Sequence, residues 1–239
     1  MGTSYNPRIA IDGLVLSVDI GNRRSYAGTG TACNDLISKQ TYTISNGAEF
    51  NSEKKGTLSF DGTDDFIQVV AAGSSDLSFT DGNFSVGGVV RVDPLSVIGT
   101  IVLSKGFNVS VGAWFLYIFS DGKVRFGRYK GFSGAFADSA TTIDDGLYHH
   151  VFATMSPTGA SAVVKIYIDG KLNNTTTWTT QDARESFASD LTTSADIGFI
   201  SGFGNYGLGD LSLVQCYNRE LTAEEVEQNY LATKGRYYL

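Results

Sequence analysis

Cysteine, proline and histidine are scarce: two, three and two residues in a chain of 239. Two cysteines, Cys33 and Cys216, cannot build the dense disulfide framework of a small secreted scaffold. They read as two buried free thiols, since free Cys behaves as a small apolar side chain. A bridge between them stays open, because a sandwich can bring distant positions together. With so little proline, and no Ser-rich or charged run, nothing reads as a linker, so one domain is expected rather than two. Positive charge is also short, 18 Lys and Arg against 25 Asp and Glu, for a net charge of −7. The sequence offers no basic patch for a phosphate backbone or an anionic bilayer, which argues against nucleic-acid binding. No run of about eighteen apolar residues occurs, so no membrane-spanning helix is expected. The opening MGTSYNPRIA lacks the basic-then-apolar pattern of a secretory leader. Asn6 stands where a myristoylation motif needs Ser or Thr.

Glycine is abundant, 28 residues, beside frequent Val, Ile, Thr, Phe and Tyr. That mixture favours many short strands joined by glycine turns. The stretch 144–172, DDGLYHHVFATMSPTGASAVVKIYIDGKL, shows it best. Asp145-Gly146 is a turn pair, because Gly takes φ > 0 at little cost and Asp bonds its own backbone. Tyr148–Met155 reads as a strand and Ser156–Gly159 as a break. Val163–Ile168 reads as a second strand, with Val164, Ile166 and Ile168 on one face and Lys165 and Tyr167 on the other. Asp169-Gly170 closes it with a hairpin-type turn. About twelve strand candidates of this kind follow one another along the chain, with no helices between them, which argues against an α/β fold. One helix is predicted near the end. Thr222 is its N-cap, Glu225 completes a capping box, and Leu221 with Val226 forms a hydrophobic staple. Val226 and Tyr230 share a face, and Gly235 offers the stop.

Several blocks now carry a resemblance. The segment DG-x-aromatic-HHV at 145–151, followed by K-x-Y-x-DG-x-L at 165–172, resembles the laminin-G/concanavalin-A-like lectin family. FDGTDDF at 60–66 and the strand ending Ser104-Lys105-Gly106 are similar to blocks of the same family. The opening YNPRIAIDGLVLSVDIGNRRSYAGTGTACNDL and the closing YNRELTAEEVEQNYLATKG are similar to lectin-like proteins carried on virions, especially those of marine bacteriophages. That pattern usually has Trp where Cys33 and Val89 stand. The resemblance implies an all-β fold, a two-sheet antiparallel jelly-roll sandwich with one short C-terminal helix. Residues 12–239 would form this single domain, preceded by an N-terminal arm, 1–11, that docks on the particle. The function it implies is that of a non-catalytic phage virion structural protein: capsid decoration, head fibre or tail-associated. Its partners would be other virion proteins and host-surface glycans, in a homo-oligomer such as a trimer, located on the virion. The alternatives are a secreted cellular carbohydrate-binding or adhesion module, and a glycoside hydrolase.

The residues themselves bound the chemistry. A glycoside hydrolase needs two carboxylates facing one cleft, and no Glu-x-Asp or Glu-x-x-x-Glu pair lies on a strand candidate. The acids at Glu224, Glu225 and Glu227 suit a helix N-terminus instead. His149 and His150 are neighbours on a strand and point to opposite faces, so they cannot share a metal. Asp61, Asp64 and Asp65 group hard oxygen donors of the kind Ca²⁺ takes, although turn formation alone explains them. Exposed aromatics that stack on pyranose rings, with Asn beside them, are expected in two loops. These are 126–137, with Tyr129 and Phe132, and 199–210, with Phe203, Asn205 and Tyr206. The bland alternative is that these aromatics pack under their own loops. Asn83, Asn108, Asn173 and Asn174 begin glycosylation sequons, which matter only on a eukaryotic secretory route.

Overall fold

The computed structural model describes residues 7–53, 55–70, 77–79, 82–92, 94, 99–105, 113–130, 133–158, 161–179, 194–200 and 204–237. The chain runs through β1 (Leu14–Asp19), β2 (Ala32–Asn34), β3 (Thr41–Ser45), β4 (Glu49–Asn51), β5 (Thr57–Asp61) and β6 (Phe66–Val70). It continues through β7 (Phe84–Arg91), β8 (Thr100–Lys105), β9 (Ala113–Ile118), β10 (Lys123–Lys130), β11 (Ser133–Thr142) and β12 (Tyr148–Thr158). The last strands are β13 (Ser161–Ile168), β14 (Lys171–Trp178), β15 (Ala195–Ile197), β16 (Phe199–Ile200), β17 (Asn205–Tyr206) and β18 (Leu208–Tyr217). A single helix is described, α1 (Ala223–Tyr237).

Two eight-stranded antiparallel sheets form the expected jelly-roll sandwich. The first has the order β14-β13-β12-β7-β18-β5-β4, with β1 also on β18. The second has the order β11-β10-β9-β8-β15-β6-β3-β2. Side chains such as Val18, Phe60, Ile67, Val86, Leu116 and Ile166 alternate inward from both sheets and make the main core. The central strand β7 is squeezed between β12 and β18. A Cβ on Gly88 would sit 2.1 Å from the Leu213 carbonyl oxygen, and one on Gly87 would sit 2.2 Å from the Phe152 ring. Both positions are therefore closed to a side chain, and this is why the apolar run of β7 carries two glycines.

Strands β12 and β13 pair from Val151↔Ile168 to Thr158↔Ser161, and Asp169-Gly170 has positive φ at both residues, 51° and 76°. That is the mirror-image turn which matches strand twist. Several expectations are corrected. β12 runs on through Ser156 and Pro157 to Thr158, and Gly159 of the expected break lies outside the described residues. The connection through Asp61-Gly62 crosses between sheets, from β5 in the first to β6 in the second. The segment 126–137 is largely the β10–β11 hairpin and 199–210 contains the β16–β17 ribbon, so neither is a plain loop.

Tyr167, on the face of β13 opposite Val164 and Ile166, is buried as well. Helix α1 covers that face, and Phe152, Tyr167, Tyr217, Leu221 and Val226 make a second core beneath it. The capping box is present: Thr222 Oγ1 accepts from the Glu225 N–H at 3.3 Å, and Glu225 Oε2 accepts from the Thr222 N–H at 2.9 Å. The helix does not stop at Gly235. It reaches Tyr237, whose hydroxyl lies 2.5 Å from Ser212 Oγ, while Arg236 grips Asp19 through Nη1 at 2.5 Å and Nη2 at 3.0 Å. Two tertiary anchors thus override one glycine, whose cost in a helix is about 1 kcal/mol. Residues 8–10 lie along the same helix. Ala10 N–H donates to Asn229 Oδ1 at 2.8 Å, and the Tyr217 hydroxyl donates to the Ala10 carbonyl at 3.0 Å. Cys33 and Cys216 are free and buried, and burial pushes the Cys33 thiol up to about 12.

Candidate functional site

On the second sheet, Trp114, Leu116 and Ile118 point into the core. Period-2 alternation therefore sends Phe115 and Tyr117 to the opposite, outward face. There Phe115 packs with Ile101 and Ile200, against a half-buried Tyr117. A Cβ on Gly127 would lie 2.6 Å from the Phe115 ring, so glycine there makes room for the ring. Gly198 N–H bonds the Ile101 carbonyl at 3.1 Å and Leu208 N–H bonds the Gly99 carbonyl at 3.1 Å. These bonds lay the β16–β17 ribbon over the end of β8.

The result is a cleft of about 310 Å³ at one end of the sandwich. Its walls include Tyr117, Phe119, Ser120, Asn205 and Tyr206, with Gly62, Gly99 and Gly204 exposing bare backbone. Tyr206 stacks on Phe199 with centroids 4.5 Å apart, and Phe66 stands 5.6 Å from Phe199. Opposite, Phe119 is edge-on to Tyr117 at 5.6 Å, and the Arg125 guanidinium lies 4.4 Å over the Phe119 ring. Arg125 is held there by both oxygens of Asp138, at 2.6 and 2.7 Å. Aromatic faces held rigid in this way, beside an amide and a hydroxyl, can take a ring whose faces are apolar and whose rim carries hydroxyls.

Of the expected sugar-contacting residues, Asn205 and Tyr206 line this cleft. Phe203 and Phe132 lie outside the described residues. Tyr129 is described by its backbone alone. It pairs with Ala113 and Gly134, whereas the cleft lies at the Ile118 end of β9. Tyr129 is therefore not at the cleft, although Phe136 of the same segment and Ile200 of the other both pack on Phe115. What sequence reading missed is Tyr117 and Phe119, which look like ordinary alternating strand residues until the second sheet's outer face is identified.

The acidic turn lies beside the cleft, since Gly62 lines it. Asp61, Asp64 and Asp65 bring carboxylate oxygens within 4.8 Å of one another, the first two exposed and Asp65 buried. Asp65 Oδ2 accepts from the Asp61 N–H at 3.0 Å and Asp61 Oδ1 accepts from the Thr63 N–H at 2.7 Å. Burial raises the pKa of Asp65, the Asp61 N–H opposes the rise, and the charges of Asp61, Asp64 and Glu49 add to it. A hard-oxygen set of this kind fits Ca²⁺, with the remaining ligands from water or backbone.

His149 and His150 do point to opposite faces. His149 Nδ1 is 2.9 Å from Asp169 and its Nε2 is 3.1 Å from Asp145. His150 is fully buried under Tyr230 and held neutral, pushed down to about 4 by desolvation. Among the described residues, neither belongs to a group of three metal-ligating side chains.

Asp196 was not singled out in the sequence. It sits on β15 between Ser104 and Gln68 in the ladder, 1% exposed. Ser194 donates to its Oδ2 at 2.6 Å, and its Oδ1 has no hydrogen-bond partner among the described residues. Burial raises its pKa to about 6, against the Ser194 bond and the Lys105 charge, which lower it.

Residues 61–227 match the family profile of the concanavalin A-like lectin/glucanases superfamily, and the chain belongs to that superfamily. No curated protein matches the chain. Among solved structures, Trypanosoma rangeli sialidase is similar at 17% identity and a TM-score of 0.67, over 95% of this chain and 34% of that one. The binding domain of botulinum neurotoxin DC, in complex with rat synaptotagmin II, is similar at 14% identity and 0.65, over 92% and 52%. The receptor-binding domain of botulinum neurotoxin type G follows at 15% and 0.61, over 92% and 51%. The chain thus spans about a third of the sialidase and about half of the toxin chains, and at these identities the likeness is one of fold.

The raised pKa of Asp196 gives a stability prediction. Between about pH 4 and pH 6 the unfolded carboxyl ionises while the native one stays protonated, so folding weakens as pH rises through that window. Asp196→Asn keeps an acceptor for Ser194 and cannot ionise. The variant is expected to be more stable than the parent by about 1–3 kcal/mol at pH 7, and no more stable below about pH 4, in urea unfolding at both pH values.

Proposed function

We propose that this superfamily member is a non-catalytic carbohydrate-binding module, and that it serves as a structural component of a bacteriophage particle. The observation that carries the binding reading is the cleft walled by Tyr117, Phe119 and Tyr206 with Asn205 at its rim. Ca²⁺ held by Asp61, Asp64 and Asp65 would stiffen the turn that carries Gly62. Host-surface glycans are the ligands this reading favours. The virion placement is supported by the opening and closing blocks of the sequence, and with it go capsid or tail proteins as partners and a homo-oligomer such as a trimer. Decoration, head-fibre and tail sites all suit such a module.

A hydrolase is the second reading, kept by the sialidase fold likeness and by Asp196, a buried carboxyl with a raised pKa. It is disfavoured by the arrangement of acids around the cleft. Asp61, Asp64 and Asp65 cluster on one turn within 4.8 Å of one another. Most glycosidases, sialidases with their tyrosine nucleophile apart, place two carboxyls on either side of the bond, about 5–5.5 Å or about 6.5–9.5 Å apart. Asp196 lies buried among Ser194, Ser104 and Gln68.

On a glycan array, the double variant Phe119→Ala/Tyr206→Ala is expected to lose about tenfold or more in affinity, with the single variant Phe119→Ala, whose ring is exposed, weakening binding at an unchanged thermal midpoint. Unchanged affinity would exclude this cleft. For the virion, mass spectrometry of purified particles is expected to find the chain at a fixed ratio to the major capsid protein. Its absence from particles would leave the cellular adhesion module as the better reading.

A further inference from the structure

We propose that a second cleft, at the far end of β1, binds the anionic group of an acidic saccharide. The proposal shares the carbohydrate-binding reading of the chain but concerns a different surface. The cleft measures about 340 Å³, and its lining includes Arg23, Lys55, Arg236, Phe50, Gly21 and Gly56. Three cations line it and no acid does. The aromatic cleft and a further cleft across β3 and β6 have no charged lining residue at all. In a chain of net charge −7, positive charge has been gathered in one place from three distant parts of the sequence.

The geometry of Arg236 is what points to a ligand. Its Nη1 and Nη2 grip Asp19 end-on, and Nη1 also donates to the Tyr237 hydroxyl at 2.9 Å. A guanidinium has five N–H donors in a fixed fork. Those contacts use three, and the pair left over, Nε–H and the outer Nη2–H, forms the side-on fork that matches a carboxylate or sulfate. Asp19 fixes the guanidinium plane, so little further entropy is lost on binding.

The floor and wall suit a sugar rather than a bare ion. A Cβ on Gly56 would lie 2.4 Å from the Cα of Gly21 and one on Gly21 would lie 2.8 Å from Arg236 Nη1, so bare backbone forms the floor next to the guanidinium. Phe50 stands edge-on to Tyr26, with ring centroids 5.2 Å apart, and is half-buried. Arg23 is exposed and donates to the Ala27 carbonyl, and Lys55 is exposed on the opposite loop. An apolar ring wall next to three cations fits a pyranose bearing a carboxylate or a sulfate ester.

Titration calorimetry tests this with oligogalacturonate, oligomannuronate and a sulfated heparin tetrasaccharide, each beside its methyl-esterified or desulfated form. At least one acidic sugar is expected to bind, about tenfold or more tighter than its neutral form, and to weaken as salt is raised. The variant Arg23→Gln/Lys55→Asn leaves the Arg236–Asp19 pair intact, and Asn tolerates the positive φ of 66° at position 55. It is expected to keep its thermal midpoint and lose about tenfold in that affinity. The Phe119→Ala/Tyr206→Ala variant is expected to bind the acidic sugar as the parent does. Binding of none of the three, equal binding of the neutral forms, or an unchanged affinity in the charge variant would overturn the proposal. Neutral glycans still bound through Phe119 and Tyr206 would then leave the aromatic cleft standing.

Discussion

Each sheet of a sandwich has two faces, and an aromatic outer face must be covered or used. This constraint organises the molecule. The first sheet carries Phe152, Tyr167 and Tyr217 outward, and helix α1 exists to bury them. Its capping box, its staple and its Arg236–Asp19 anchor all serve that seat. The second sheet also carries rings outward, Phe115 and Tyr117 among them, but no helix among the described residues covers them. Its own β16–β17 ribbon covers Phe115 and Ile101 and stops short of Tyr117 and Phe119. The cleft is the part of an apolar face that the fold leaves uncovered.

The same logic places the charges. Carboxylates gather at the 61–65 turn on one side of the cleft. Cations gather just past Asp19, the last residue of β1, where the last turn of α1 brings Arg236 against the loops that carry Arg23 and Lys55. The basic cluster is built where backbone packs on backbone, at Gly21 and Gly56. Buried ionisable groups elsewhere, such as neutral His150 and the half-satisfied Asp196, lie in the ladder itself and are held by packing.

The fold was legible because its signals are local. Val164, Ile166 and the Asp169-Gly170 turn announce a hairpin, and Thr222 with Glu225 announces a helix start. Strand β14 was not legible: Lys-Leu-Asn-Asn-Thr-Thr-Thr-Trp has no apolar alternation and is held by pairing with β13 and by burial of Trp178 at its end. Gly235 misled because the anchors at Arg236 and Tyr237 are tertiary. The site was legible in part. Asn205, Tyr206 and the acidic turn stood out by composition, and the fold does bring them to one rim. Tyr117 and Phe119 did not, since period-2 alternation shows that a strand has two faces but not which outer face stays bare. The basic cleft was invisible for a related reason. Residues 23, 55 and 236 meet only once both ends of the chain have packed together.

The central claim is that the aromatic cleft is where a glycan sits. Backbone amide chemical shifts, followed by NMR while host-surface oligosaccharide is titrated in, test it most directly. The account predicts shifts concentrated at 99–101, 117–120 and 204–206, with the β14 edge and helix α1 undisturbed. Saturable binding whose shifts fall elsewhere, or no shifts with any glycan from the host surface, would contradict it.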